Sequence, residues 1–197
     1  MKGIALSKKM LAAYGAFVIL FTAQLARAGN VELGTPAYGG TGCPAGLAPQ
    51  ISITNKGLLS VRFNDFVLED AAQSAVGRKN CSIRLPMSIA NGYRVAVQNV
   101  EFRGILRLPT QTSLQINSDV GFVGTESIKL SQTFDRAQNT QNIRLRGASS
   151  QIVSTSCGAD AMLALSTNML YSKQPNVSGV RAQARVTQVQ LLLEKCN

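Results

Sequence analysis

An all-β fold, an antiparallel β-sandwich or jelly-roll stapled by two disulfides, follows from three features of the chain. Short runs of alternating apolar and polar residues recur along it, no repeated helical pattern separates them, and four cysteines are spread across it. Alternation puts every second side chain on one face, as in a strand half-buried in a sheet. Many such runs, divided by turn residues, exclude a βαβ arrangement and favour two packed sheets.

Residues 1–28 are organised as a secretory signal peptide. Lys2, Lys8 and Lys9 precede an apolar stretch from Met10 to about Ala23. Ala26-Arg27-Ala28 then supplies small residues at −3 and −1, which sets cleavage before Gly29. The stretch falls short of the ~20 apolar residues of a transmembrane helix, and no cysteine stands at the cut for acylation. The expected location is secreted or periplasmic, with no stable membrane insertion after cleavage. Residues 29–197 have the size of one domain, enough to bury roughly two-thirds of the unfolded surface around a single core. Neither a linker nor an internal repeat divides them.

Residues 29–48 are rich in Gly and Pro and lack periodicity, which predicts an extended, turn-laden entry segment. Ile51 and Ile53 then alternate with polar neighbours, and Leu59, Val61 and Phe63 alternate with Ser60, Arg62 and Asn64. Leu68–Val76 has the composition of a short helix. Cys81, Ile83, Leu85, Met87 and Ile89 share one strand face, and Asn91-Gly92 is a tight-hairpin signal. Tyr93, Val95 and Val97 follow, then the phase moves to Val100 and Phe102, which predicts a β-bulge near Gln98-Asn99. Further strands are expected at Leu106–Leu108, Ser113–Asn117, Ser127–Phe134, Asn142–Arg146 and Met162–Met169. A long last strand carries Val180, Ala182, Ala184 and Val186, then changes phase to Val189, Leu191 and Leu193. With no Trp in the chain, the core is aliphatic with Phe and Met.

Cys43, Cys81, Cys157 and Cys196 read as two disulfides in an exported chain. Zinc is a poor alternative, because no two cysteines are closely spaced and histidine is absent. Of the three connectivities, Cys43–Cys81 with Cys157–Cys196 is preferred, since shorter loops close more readily. Each bridge constrains a loop of about 40 residues, worth about 3–4 kcal/mol on the chain-entropy picture.

The formal net charge of +10 falls by four when Lys2, Lys8, Lys9 and Arg27 leave with the leader. A chain that stays basic is drawn to anionic surfaces. Arg84, Arg94, Arg103, Arg144, Arg181 and Arg185 stand out of phase with their apolar neighbours, so they are expected to face solvent. Gathered on one sheet, they make an anion-binding face. Nucleic acid is not the favoured partner, because Tyr38, Tyr93, Tyr171 and the absence of Trp leave few rings for stacking. The same scarcity argues against an aromatic sugar platform.

Lack of histidine excludes Ser-His-Asp and Cys-His nucleophilic systems and histidine-dependent metal sites. Asp65, Glu69 and Asp70 form the one acidic cluster, whose spacing matches no calcium loop and reads as a solvated turn. No catalytic residue, metal or cofactor is assigned. Arg78-Lys79-Asn80 reads as a solvated loop, with an anion-binding corner as its alternative. Asn80-Cys81-Ser82 and Asn176-Val177-Ser178 fit the glycosylation triplet.

Gly42-Cys43-Pro44 after the Gly-rich leader, Phe63-Asn64-Asp65-Phe66, Arg78-Lys79-Asn80-Cys81, Cys157-Gly158 and the terminal Cys196 together resemble domain-of-unknown-function family 4360. That family comprises small secreted proteins of bacteria and fungi. The resemblance covers nearly all of residues 29–197, and the Gly-Cys-Pro and Arg-Lys-Asn-Cys blocks are its most specific parts. By this resemblance the chain would be a divergent member: the family tends to carry Trp just before the third cysteine and near the fourth, regions where Thr155 and Leu193 stand here. The resemblance implies secretion and a disulfide framework, and it implies no activity.

The expectation is an exported non-enzymatic protein, structural or adhesive, that binds a partner or anionic surface polymer at the cell envelope or outside the cell. The competing expectation is a secreted hydrolase working through carboxylates, Asp65 with Glu69 or Asp70.

Overall fold

The computed structural model describes residues 27–28, 30–70, 74–135 and 137–196. The signal peptide expected over residues 1–28 lies outside the described residues, Arg27 and Ala28 excepted. The strands are β1 (Arg27–Ala28), β2 (Val31–Leu33), β3 (Ala37–Gly39), β4 (Gln50–Ile53), β5 (Leu58–Arg62), β6 (Val67–Glu69) and β7 (Val76–Ile89). The later strands are longer: β8 (Tyr93–Leu108), β9 (Thr112–Phe122), β10 (Ser127–Phe134), β11 (Ala137–Ser154), β12 (Ala161–Lys173) and β13 (Arg181–Lys195).

They form two antiparallel sheets. The first runs β1-β2-β7-β12-β9-β10, with β3 also on β7; the second runs β11-β8-β13-β5-β4, with β6 also on β13. The inner faces meet in one core. Ile83, Met87, Leu114, Ile116 and Met169 come from the first sheet, and Leu59, Phe102, Leu106 and Val189 from the second. The sandwich is the arrangement that lets each sheet bury the apolar half of its alternating strands. Among the described residues no helix is long and apolar enough to cross a membrane.

Three sequence expectations change in detail. Leu68–Val76 is not helical where it is described: Leu68 is buried in β6 opposite Ala182 of β13, and Val76 opens β7. Residues 71–73 lie outside the described residues. Burial of Leu68 against a neighbouring strand overrides local helical composition. Leu106–Leu108 is the end of β8 rather than a separate strand. The phase change in the last strand falls at Arg185, between the pairs Ala184↔Gly104 and Val186↔Arg103, so Val186 already faces outward. The bulge in β8 sits at Gln98, between Val97↔Leu191 and Asn99↔Gln190. One extra residue in one strand turns the following side chains over, which keeps apolar residues inward on both sides of the irregularity.

The entry segment is extended and supplies β2 and β3, both paired to β7. Three sequence blocks converge beside it. The Gly42 N–H donates to the Asn80 carbonyl at 2.8 Å, and Thr41 Oγ1 accepts from the Asn80 N–H at 3.2 Å. Asn64 Nδ2 donates to the Ala48 carbonyl at 2.7 Å. Phe66 lies so close beneath Gly42 that a Cβ there would stand 2.3 Å from its ring, and Phe63 packs edge-on to Phe66 at 5.3 Å. Cys43 is bonded to Cys81 at the centre of this corner.

The second bridge joins Cys157 to Cys196. Around it the Gly158 N–H donates to the Tyr93 carbonyl at 2.7 Å and the Cys196 N–H to the Gly92 carbonyl at 2.8 Å. The end of β13, the β11–β12 loop and the Asn91-Gly92 turn are thereby tied together. Thr155 contributes its hydroxyl as acceptor for the Val95 N–H, and Leu193 packs half-buried against the core. Replacing Cys157 and Cys196 together by serine is expected to lower the unfolding free energy by about 3 kcal/mol, read as a lower urea midpoint with an unchanged far-UV spectrum at low denaturant.

Candidate functional site

The charged side chains of the second sheet collect on its outer face because the inner face is committed to the core. Of the sequence-predicted arginines, Arg94 and Arg103 lie on β8, Arg144 on β11, and Arg181 and Arg185 on β13. Arg84 lies on β7 of the other sheet and faces away from them. Three further arginines share the outer face of the second sheet: Arg62 of β5, Arg107 of β8 and Arg146 of β11. The same out-of-phase signal marks them, since Arg62 stands between Val61 and Phe63, Arg107 between Leu106 and Leu108, and Arg146 next to Leu145.

Register places three of these in one line across adjacent strands, and the bulged Arg185 stands beside it. Arg144 pairs with Arg103, Arg103 with Val186 beside the bulged Arg185, and Val186 with Arg62. Strands are spaced about 4.8 Å apart, so the line presents a guanidinium at nearly every strand. Beside it, Glu101 gathers three cations. Its carboxylate accepts from Arg103 Nε, from Arg146 Nε at 2.5 Å, and lies 3.3 Å from Arg144 Nε. Glu101 is 13% exposed while its three partners are 43–64% exposed, so one shielded anion braces outward-facing guanidinium groups. Each retains further N–H donors for a ligand. A hollow of about 470 Å³ opens beside Glu101 and Arg146, over Asn99 and Ala148.

Two other arginines are neutralised by single partners. Arg94 Nε meets Glu194 at 2.6 Å, and Arg181 meets Glu69 at 2.7 Å. Arg62, Arg107 and Arg185 have no ion pair among the described residues.

The acidic cluster does not converge. Asp65 is exposed, Glu69 holds Arg181, and Asp70 turns inward to accept from the Gly179 N–H at 3.2 Å. Asp70 lies 3.7 Å from Lys173 Nζ, which also donates to the Val177 carbonyl at 2.5 Å; the two side chains are 10% and 1% exposed. This pair fastens the β12–β13 loop to the chain after β6. No group of three or more His, Cys, Asp or Glu is placed to hold a metal among the described residues. Arg78-Lys79-Asn80 belongs to β7, not to a loop, and Arg78 donates to Asn168 Oδ1 at 2.7 Å. Asn176 stands exposed in the β12–β13 turn at φ 69°, whereas Asn80 is bound into the disulfide corner.

The family described as Domain of unknown function (DUF4360) matches residues 29–196. The chain belongs to DUF4360. A protein of Arthroderma benhamiae named "Uncharacterized secreted protein" is 25% identical to this DUF4360 chain over 148 residues, 73% of this chain and 60% of the relative. The chain thus spans less than two-thirds of that relative's length. Among solved structures, the carbohydrate-binding module TmCBM61 in complex with β-1,4-galactotriose is 9% identical with a TM-score of 0.29, covering 81% of this chain and 88% of that one. The family 11 carbohydrate-binding module from Clostridium thermocellum is 8% identical with a TM-score of 0.25 over the same shares. Likeness at these scores says nothing of what the DUF4360 chain binds. The protein is exported, secreted or periplasmic: its two disulfides fit an oxidising compartment, and the Arthroderma benhamiae relative is named as secreted.

Asp70→Ala leaves the Lys173 ammonium buried without its carboxylate and is expected to cost roughly 3 kcal/mol of stability. Asp70→Leu combined with Lys173→Met is expected to recover most of that loss in denaturant unfolding. Glu101 gives a pH-dependent prediction. Burial by itself raises its pKa, but hydrogen bonds from Arg146 and Arg103 and the charges of Arg103 and Arg144 outweigh it, and the carboxyl lies below its usual value. A depressed folded-state pKa contributes stability that is full above the unfolded value and is lost as pH falls through the folded one. Glu101→Gln is expected to flatten the stability–pH curve across that acid window, as followed by denaturant midpoints in a pH series.

Proposed function

We propose that this DUF4360 protein is a non-enzymatic binding protein of the cell envelope or extracellular space, and that the outer face of its second sheet holds an anionic surface polymer. The arginine line Arg144–Arg103–Arg62, with Arg185 beside it, carries the reading. A row of guanidinium groups on a sheet is held at fixed spacing, and repeated carboxylate, sulfate or phosphate groups of an extended polymer are its chemical complement. Arg185 and Arg62 meet such a ligand without first breaking an ion pair. Glu101 holds the Arg103, Arg144 and Arg146 head groups in place, which reduces the side-chain entropy lost on binding. The acidic residues named for a hydrolase serve Arg181 and Lys173 instead, and Asp65 stands apart.

Retention of the secreted protein on heparin–agarose and on immobilised polygalacturonate across a salt series tests this. Binding is expected to weaken steeply with salt, because charges at the surface are screened within about a nanometre at 0.1 M. Arg62→Ala/Arg103→Ala/Arg185→Ala is expected to elute at distinctly lower salt than the wild type, whereas Arg84→Ala, on the other sheet, elutes close to it. Wild-type protein that binds neither matrix, or a triple variant that elutes with the wild type, overturns the proposal.

A further inference from the structure

We propose that the outer face of the first sheet is a second binding site, for a neutral, hydroxyl-rich chain such as a polysaccharide strand. The proposal does not rest on the arginine face. Register sets the side chains of β7, β12, β9 and β10 in rows: Asn80–Asn168–Asn117–Ser131, then Ser82–Ser166–Asp119–Lys129, then Arg84–Ala164–Gly121–Ser127. The first row is satisfied within the protein. Ser131 Oγ donates to Asn117 Oδ1 at 2.7 Å, Arg78 Nε to Asn168 Oδ1 at 2.7 Å, and Thr41 Oγ1 to Asn80 Oδ1 at 3.2 Å.

The next two rows are not. Arg84, Asp119 and Lys129 have no ion pair and no side-chain hydrogen bond among the described residues, and the one contact between Ser82 and Ser166 is stretched to 3.5 Å. Donors and acceptors left open in adjacent rows are available to a ligand. Ala164 gives the rows a low floor, beside Gly121, which the Glu126 carbonyl and Ser127 cover, and the hollow there has a volume of about 320 Å³. A second hollow of about 450 Å³ continues along the same two strands, walled by Pro86, Met162 and Leu33 and ending at Ser88, whose hydroxyl donates to Asp160 at 2.8 Å. From Ser82 to Ser88 the face runs about 20 Å at the rise of a strand.

The chemistry selects the ligand. A carboxylate that accepts, a guanidinium that donates and serines that do both match vicinal hydroxyl groups, which offer donor and acceptor side by side. Pro86 and Met162 provide an apolar surface for the C–H face of a sugar ring. Basic Arg78, Arg84 and Lys129 are matched on this face by acidic Glu32, Asp119 and Asp160, so a polyanion gains little here.

The full secreted protein is incubated with beads bearing mixed-linked β-glucan, galactan, glucomannan or dextran, at 0.15 M and at 1 M NaCl. Retention on at least one of them, unchanged at high salt, is expected. Asp119→Asn or Ala164→Leu is expected to weaken it at least tenfold, and Arg62→Ala/Arg103→Ala/Arg185→Ala to leave it unaltered. Asp119→Asn preserves shape, so it keeps the test decisive if the leucine disturbs folding. The proposal is overturned by no retention on any of the four, by wild-type retention in both single variants, or by salt-sensitive retention that disappears in the arginine variant. The last outcome assigns the ligand to the second sheet, and heparin binding is read independently of all three.

Discussion

The pairing of β13 with β8 governs what the protein shows to its surroundings. The two strands run antiparallel through the middle of the second sheet, and β13 also carries β5 and β6 on its other side. A sheet with one buried face has no freedom of register, because a slip of one residue would exchange its apolar and charged sets. The bulges at Gln98 and Arg185 adjust phase where the sequence demands it. Arg185 is itself the extra residue, which puts it beside the outward Val186 and next to Arg103 and Arg62 in the neighbouring strands. Packing of the core thus builds the arginine line as a by-product of satisfying the hydrophobic pattern.

The blocks that carry the family resemblance have a structural task. Gly-Cys-Pro, Phe-Asn-Asp-Phe and Arg-Lys-Asn-Cys are far apart in the chain and meet at one corner, where a glycine admits a phenylalanine ring and a disulfide closes the contact. That corner docks the entry segment on β7. The second disulfide does the same for the C-terminal strand. Stability is concentrated at the two places where the chain would otherwise fray, which leaves the broad outer faces free to carry residues chosen for other reasons.

The two outer faces differ in kind. On the second sheet, cations exceed anions and the most shielded anion, Glu101, organises cations around itself. On the first, charges of both signs are interspersed with serine and asparagine over small residues. An electrostatic surface of the first kind acts at a distance and is weakened by salt, whereas hydrogen-bonding rows of the second kind act only on contact. The two proposed sites thus differ in the ligand chemistry they would meet, one charged and one hydroxyl-rich.

The alternation of apolar and polar residues was sufficient to read the sandwich, most strands and the bulge near Gln98, because period-2 burial is a local property of the chain. Absence of histidine likewise spoke directly about chemistry. Leu68–Val76 misled because helical composition is a weak preference and Leu68 finds a partner in β13 that no local window contains. Arg62, Arg107 and Arg146 were legible by the same phase rule as the other arginines. What the chain by itself could not decide is which strands become neighbours. Side-chain phase is set by the two or three residues on either side, but the gathering of Arg62, Arg103 and Arg144 in one line with Arg185 beside it, the removal of Arg84 to the opposite sheet, and the open row around Asp119 depend on pairings between segments as far apart in the chain as Leu58 and Gln190, chosen by the burial of a common core.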